Sequence, residues 1–262
     1  MNPPYRSVEV TAESLDEVGL YCSRSKHKED GYRNKLEWIR ERFRDGLEYH
    51  VLNVDEGRKD MAYRGMIEYM PAEKCWRGID APGYMAIHCL WVVGRHKKKG
   101  YGTMLLQRCI DSARAKDMHG VVAITVQKGG WMPTKKIYEN QSFKQVDEME
   151  PDFSLYALKF SEDFPDPKFC PSNPEMFMKY GEGITVLTSH QCPYMAGTLD
   201  GLREYAEEHG EKLKIIEMKD PSEAQLCGNP YGTFLVIRNG EYVTHLPGGQ
   251  GFIKKEMSKK IQ

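Results

Sequence analysis

The chain has 262 residues, enough for one large domain or two ordinary ones. With 40% hydrophobic and 29% charged residues the composition is globular, and a net charge of −1 gives no overall pull toward nucleic acid. No run approaches the roughly 18 apolar residues of a membrane span, and the opening Met1-Asn2-Pro3-Pro4-Tyr5-Arg6 lacks the apolar stretch of a signal peptide. The seven cysteines are scattered and contain no C-x-x-C pair. That pattern points to reduced thiols in a cytoplasmic setting, and no metal-ligand spacing is present.

Residues 7–20 mix Val8, Val10, Leu15, Val18 and Leu20 with polar positions and fit a first strand and a helix start. Tyr32 to Leu47 is amphipathic: Leu36, Ile39 and Phe43 share a face, Trp38 and Leu47 lie close by, and Gly46 sits near the stop. Its opposite face, with Arg40, Glu41, Arg42 and Arg44, reads as solvated. His50 to Val54 and Met61 to Tyr69 read as a hairpin around Asp55-Glu56-Gly57. Pro71 to Pro82 is polar and irregular, holds Trp76, and is long enough to line a site.

Tyr84 to Val93 is a strand that ends in the apolar run Leu90 to Val93. The turn Gly94-Arg95-His96-Lys97-Lys98-Lys99-Gly100-Tyr101-Gly102 follows. Then Met104, Leu105, Leu106, Cys109, Ile110 and Ala113 recur at helical spacing, to an end near Asp117–Gly120. A turn from a strand into a helix leaves N–H groups without intrahelical acceptors, which makes an anion site. Gly100 and Gly102 permit close backbone approach, and the three lysines add charge. Pyrophosphate capture is the chemistry indicated, although neither G-x-x-x-x-G-K-[ST] nor G-x-G-x-x-G is present. Val121 to Val126 is a further apolar strand, consistent with a crossover to a parallel neighbour of Tyr84–Val93.

What remains is a basic-x-x-G-x-G pattern after a strand, with Lys97 at the basic position. It resembles the pyrophosphate loop of the GNAT acetyltransferases, where Gln or Arg stands. Downstream, a short helix from Pro133 carries Ile137-Tyr138 and leads to Phe143. It resembles that family's second signature, (L/I)-Y-x-x-x-G-F, with Ser142 in place of Gly and Met132 where Asn is common. The resemblance covers roughly residues 7–160. It implies an α/β (α+β) mixed-sheet fold, acetyl-CoA (CoA) as cofactor, and acetyl transfer to a small-molecule or peptide amine. By the same resemblance Trp91, Val92 and Gly94 pair with the pantetheine arm through their main chain. Lys97, Lys99, Gly100, Tyr101, Gly102 and Thr103 hold the pyrophosphate, and Tyr138 returns a proton to the leaving thiolate.

Two residues compete for the role of base. His88, four positions before Val92, is of the residue type suited to taking an amine proton, and by resemblance stands where the arylalkylamine acetyltransferases carry a histidine. Glu68, on the preceding strand, is a carboxylate on an apolar strand, costly unless it has a role or a partner. Neither nucleic acid nor a membrane is expected as a partner; a second copy of the chain is a candidate.

Residues 161–176 contain four prolines, which stop helix and sheet and read as a semi-rigid linker. Residues 177–262 form a second domain. Ile184 to Thr188 and Leu213 to Met218 are strands, with a helix between them ending near His209–Gly210. Pro221 to Gln225 is a short helix, and Thr233–Arg238 with Tyr242–His245 is a hairpin around Asn239-Gly240. A final helix follows from Gly251. This β-α-β-α-β-β-α order resembles thioredoxin, and Cys192-Pro193-Tyr194 is similar to the glutaredoxin C-P-Y-C, with Met195 in fourth place. The slot where thioredoxins place a cis-proline holds Gly232, with Pro230 two residues earlier. Cys192 at a helix N-terminus, near His190, is a candidate reactive thiol. The missing second thiol removes the dithiol mechanism and favours a module that serves packing or partner binding. An acetyltransferase followed by such a module resembles the YoaP-type proteins. A different reading of the whole is a non-catalytic protein that senses acyl-CoA or thiol stress.

Overall fold

The computed structural model of the protein describes residues 4–57, 62–127 and 132–259. Met1, the expected strand start Met61 and Trp131 lie outside them. The chain divides into two compact units. One takes the described residues of Met1–Arg24, Ile39–Cys75 and Ile79–Phe169; the other takes Ser25–Trp38, Trp76–Gly78 and the described residues of Cys170–Gln262.

The elements run β1 (Tyr5–Val10), α1 (Leu15–Val18), α2 (Asp30–Arg42), β2 (Glu48–Val54), β3 (Ala62–Pro71), β4 (Ile79–Asp80), β5 (Tyr84–Val92), α3 (Tyr101–Ala115), β6 (Gly120–Val126), α4 (Lys135–Glu139), β7 (Lys144–Met149), β8 (Phe153–Lys159) and β9 (Lys168–Phe169). Seven strands of the first unit form one sheet in the order β1-β2-β3-β5-β6-β8-β7. β5 and β6 run parallel and the other neighbours antiparallel. The expected hairpin and the expected crossover are both present. Alternation along the strands gives the sheet two apolar faces. On one face Leu52, Ile67, Tyr69, Ile87, Val121 and Tyr156 pack with Leu105, Leu106, Cys109 and Ile110 of α3.

Three expectations change. α2 stops at Arg42, because a 3-10 turn at Phe43–Asp45 and the left-handed Gly46 end it. Arg42 is buried rather than solvated, and pairs with Glu41 and Asp45 at 3.0 Å each. The proline-rich stretch is not a bare spacer: β9 pairs with β4, and Pro165 accepts a hydrogen bond from the Tyr84 hydroxyl at 2.8 Å.

The second unit continues with α5 (Glu175–Met178), β10 (Ile184–Thr188), α6 (Met195–His209), β11 (Leu213–Glu217), α7 (Pro221–Gln225), β12 (Phe234–Arg238), β13 (Glu241–Thr244) and α8 (Gln250–Met257). From β10 onward this is the β-α-β-α-β-β-α order read from the sequence. Its sheet runs β11-β10-β12-β13, with β10–β11 parallel and the others antiparallel. Asn239 and Gly240 both take positive φ, as the tight hairpin turn requires. Asp220 caps α7 through a full capping box with Glu223.

Candidate active site

The sheet of the first unit opens at its centre. β5 and β6 pair from Tyr84↔Gly120 to Ile87↔Ala123, and the ladder stops there although β5 runs on to Val92 and β6 to Val126. Beyond Ile87 the β6-facing edge of β5 is therefore a strand edge without a ladder partner among the described residues. Which main-chain groups line it follows from β3. The Val93 N–H donates to Arg64 at 3.0 Å, and the Trp91 carbonyl points at Gly65, where a Cβ would meet it at 2.5 Å. Antiparallel pairing alternates, so Trp91 faces β3 while Leu90 and Val92 face the opening. Of the main-chain partners named from the sequence, Val92 is on the open edge and Trp91 is not.

The edge leads into the basic turn. Gly94–His96 forms a 3-10 turn, Lys98 and Gly100 take positive φ, and α3 begins at Tyr101. Its first intrahelical bond is Met104 N–H to Gly100 at 3.0 Å, so the N–H groups of Tyr101, Gly102 and Thr103 precede the helical ladder. Lys97, Lys98, Lys99 and Gly100 are exposed, and nothing lies within 4 Å of a Cβ at Gly94 or Gly100. These features fit a polyanion held by main chain. Gly102 has a different reason to be glycine: a Cβ there would sit 2.9 Å from Ile137 Cδ1, so it seats α4 on α3. Tyr101 turns its ring inward, 5.0 Å from Tyr5, and leaves only its main chain to the turn. The Lys97 ammonium lies 4.9 Å over the Trp91 ring. An open groove of about 490 Å³ runs from Gly100 past Thr103, Met104, Gln107, Arg108 and Asp111.

Glu56 anchors the turn. Its carboxylate takes both arms of Arg64 at 2.7 and 2.8 Å, Arg95 at 3.0 Å and His96 at 2.8 Å. Arg64 and Arg95, with His96, hold it well below the usual carboxylate range. In the sequence Glu56 reads only as part of a turn; nothing local marks it as the post to which a loop forty residues later is tied.

The two rival bases meet. Glu68 pairs with Cys89 and Tyr69 with Ile87, so His88 is the extra residue of a bulge in β5. The bulge sets the His88 Nδ1 3.1 Å from Glu68 Oε1, with both side chains fully buried. Tyr49, opposite Glu68 on β2, receives the Tyr21 N–H at 3.0 Å. Burial, with Cys22, Glu68 and Cys89 nearby, pushes the Tyr49 phenol far up, so it stays protonated beside the pair.

Comparison with known proteins decides the lineage. Residues 15–143 match the model of the Acetyltransferase (GNAT) family. The uncharacterized N-acetyltransferase YoaP of Bacillus subtilis (strain 168) is 32% identical over 240 residues, 91% of this chain and 92% of that protein. The chain belongs to the GNAT family of acetyltransferases. Among solved structures, an N-acetyltransferase from Staphylococcus aureus Mu50 is 15% identical, covers 60% of this chain and 99% of its own, and has a TM-score of 0.43. A GNAT family acetyltransferase from Brucella melitensis in complex with acetyl-CoA is 14% identical, covers 62% and 92%, and scores 0.38.

In this GNAT chain Tyr138 lies on α4, one residue after the Ile137 that touches Gly102. It is buried in the same apolar cluster as Leu90 and Leu105, its ring 5.4 Å from Phe143. Val92 of β5 packs against this same cluster. Trp76 is no pocket wall: it is buried in the second unit, edge-on to Trp38 with ring centroids 5.7 Å apart. Cys192 is half-buried just before α6, where Met195 N–H donates to its carbonyl at 3.3 Å. His190 there is 3.2 Å from Glu217. All seven cysteines are unbridged, and no helix among the described residues is long and apolar enough to cross a membrane.

Proposed function

We infer that this acetyltransferase moves the acetyl group of acetyl-CoA to the nitrogen of a small-molecule or peptide amine. The observation that carries this reading is the open edge of β5, whose Leu90 and Val92 main chain runs into the uncapped N–H groups of α3. An extended arm with amide groups pairs with such an edge as an added strand. Its diphosphate then meets the first turn of α3 and the exposed lysines. A main-chain N–H on the edge is placed to take negative charge from the thioester oxygen as the amine attacks.

His88 receives the proton of the amine. Glu68 holds Nδ1 and so fixes the ring. Tyr138 supplies a proton to the thiolate that leaves. The second unit is a thioredoxin-like accessory; Met195 in place of a second cysteine gives it no dithiol chemistry.

The test is a thermal shift with CoA and acetyl-CoA, followed by thiol release over a panel of amines. Acetyl-CoA at about a hundred times its Kd should stabilise the protein by about 2.7 kcal/mol. At least one amine class should then release thiol, and His88→Ala should slow that release by about 10²-fold or more. Stabilisation without release from any amine would favour the sensor reading.

A further inference from the structure

Within the second unit, the bend Trp76-Arg77-Gly78 is gripped on both sides through its main chain. The Gly78 N–H donates to the Pro230 carbonyl at 3.1 Å, and the Gly78 carbonyl accepts from the Cys170 N–H at 3.0 Å. Between these main-chain bonds the Arg77 side chain enters a pocket and is buried. Its guanidinium donates to the Tyr231 carbonyl and, at 3.2 Å, to Thr233 Oγ1. The same guanidinium lies 4.9 Å over the Tyr231 ring. Tyr231, Thr233 and His245 are themselves buried, and the Tyr231 and His245 rings stand 5.4 Å apart.

The loop is shaped for this. The Asn229 side chain accepts from the Tyr231 N–H at 2.9 Å, which turns the Tyr231 carbonyl to its task. Gly232 takes a φ of +73°, and any Cβ there would meet the Trp76 carbonyl at 2.5 Å. Gly78 likewise has no room for a side chain, with the Asn229 carbonyl 2.8 Å from where its Cβ would be. Both hydrogen bonds leave one guanidinium nitrogen, Nη1, and the planar group over the Tyr231 ring is what favours arginine over lysine, whose ammonium is a point charge.

We propose that the loop 229–233 with His245 is an arginine-recognition site for a bent chain segment, and that Trp76-Arg77-Gly78 of this chain is its occupant. The second unit then works by gripping a segment through main chain and guanidinium, with no thiol involved. This assignment is independent of the acetyl-transfer reading.

Chemical rescue in the full chain tests it. Arg77→Ala should melt below the parent, and millimolar methylguanidinium should return part of the loss; methylammonium should not, and neither cation should raise the parent. Thr233→Val in the same background should weaken the rescue. Equal recovery with both cations, or with neither, would overturn the assignment. Should Arg77→Ala fail to fold, Arg77→Lys keeps the charge and loses the planar group. Amide exchange at Gly78 and across 229–233 should then rise together by about tenfold or more, the factor that follows loss of a hydrogen bond to a charged group. Exchange at Ile184–Thr188 should hold. Unchanged protection at Gly78 in that variant would also sink the proposal.

Discussion

His88 and Glu68 stand twenty residues apart in the chain, and one inserted residue in β5 makes them a pair. Removing the base should cost most. His88→Ala should lower kcat by about 10²- to 10⁴-fold and flatten the acid limb of the rate–pH profile. Glu68→Gln keeps the shape and loses the charge; it should lower kcat by about 10- to 100-fold, the usual effect of losing a residue that orients another, and leave KM for acetyl-CoA near the parent value. Steady-state kinetics across pH separate the two, and equal losses in kcat and in melting temperature would make the pair structural. Tyr138 calls for the same care because it is buried. Tyr138→Phe keeps the ring and removes only the hydroxyl, so a fall in kcat of about 10²-fold at unchanged melting temperature marks a proton donor. Unchanged kcat marks a packed ring.

At the scale of elements, the site depends on how α3 and α4 sit. A methyl at Gly102 would meet only the Cδ1 end of the Ile137 side chain. Gly102→Ala should therefore destabilise by about 1 kcal/mol at most, the low end of the range for overpacking, because that flexible end can give way. Ile137→Ala, alone a cavity, should recover part of that loss in the double variant. Denaturant melts of the two singles and the double form the cycle, and strict additivity would mean that the contact is not the reason for the glycine. The turn is fastened separately, by Glu56 to Arg64, Arg95 and His96.

For the whole molecule, two units mean that a single stability does not describe the chain. Acid should act on each through a different group. In the second unit burial, with the Arg77 charge adding, holds the His245 imidazole down to about 4 from 6.5, and Tyr231 and the Tyr242 hydroxyl, 2.7 Å from Nδ1, lie against it. The unfolded chain takes the proton first. Stability is therefore full above pH 6.5 and falls as pH drops toward 4, by about 3 kcal/mol. In the first unit burial alone would raise the Glu48 carboxyl, but hydrogen bonds from His50, Lys116, Ser112 and Tyr69 outweigh it and bring the group to about 2. Its contribution is present above 4.5 and lost as pH falls from there toward 2. Amide exchange resolved by unit should show the second unit losing protection first. His245→Gln should flatten that early decline, and an unchanged slope between pH 6.5 and 4 would show that another group drives it.

The sequence by itself determined the local elements and the family. Periodicity 2 and 3.6 set the strands around the basic turn and α3, and Lys97, Gly100, Gly102 and Ile137-Tyr138 carried the resemblance that the match to YoaP bears out. The order of elements in the second unit was legible too, because each turn announces itself locally: Asn239-Gly240, Asp220 before Pro221, Gly210 after α6. The β7–β8 hairpin was not, since β8 is set by pairing with β6 and β7 by pairing with β8. Three things belonged to tertiary structure alone. The β5 bulge that turns two rival bases into one pair is a register shift, which no single strand encodes. The edge that exposes Val92 and withdraws Trp91 depends on which neighbour β5 keeps. The burial of Arg77 against Tyr231 joins residues 154 positions apart. Periodicity reports which face of an element is apolar; it carries no information about what distant segment that face, or a polar group on it, will meet.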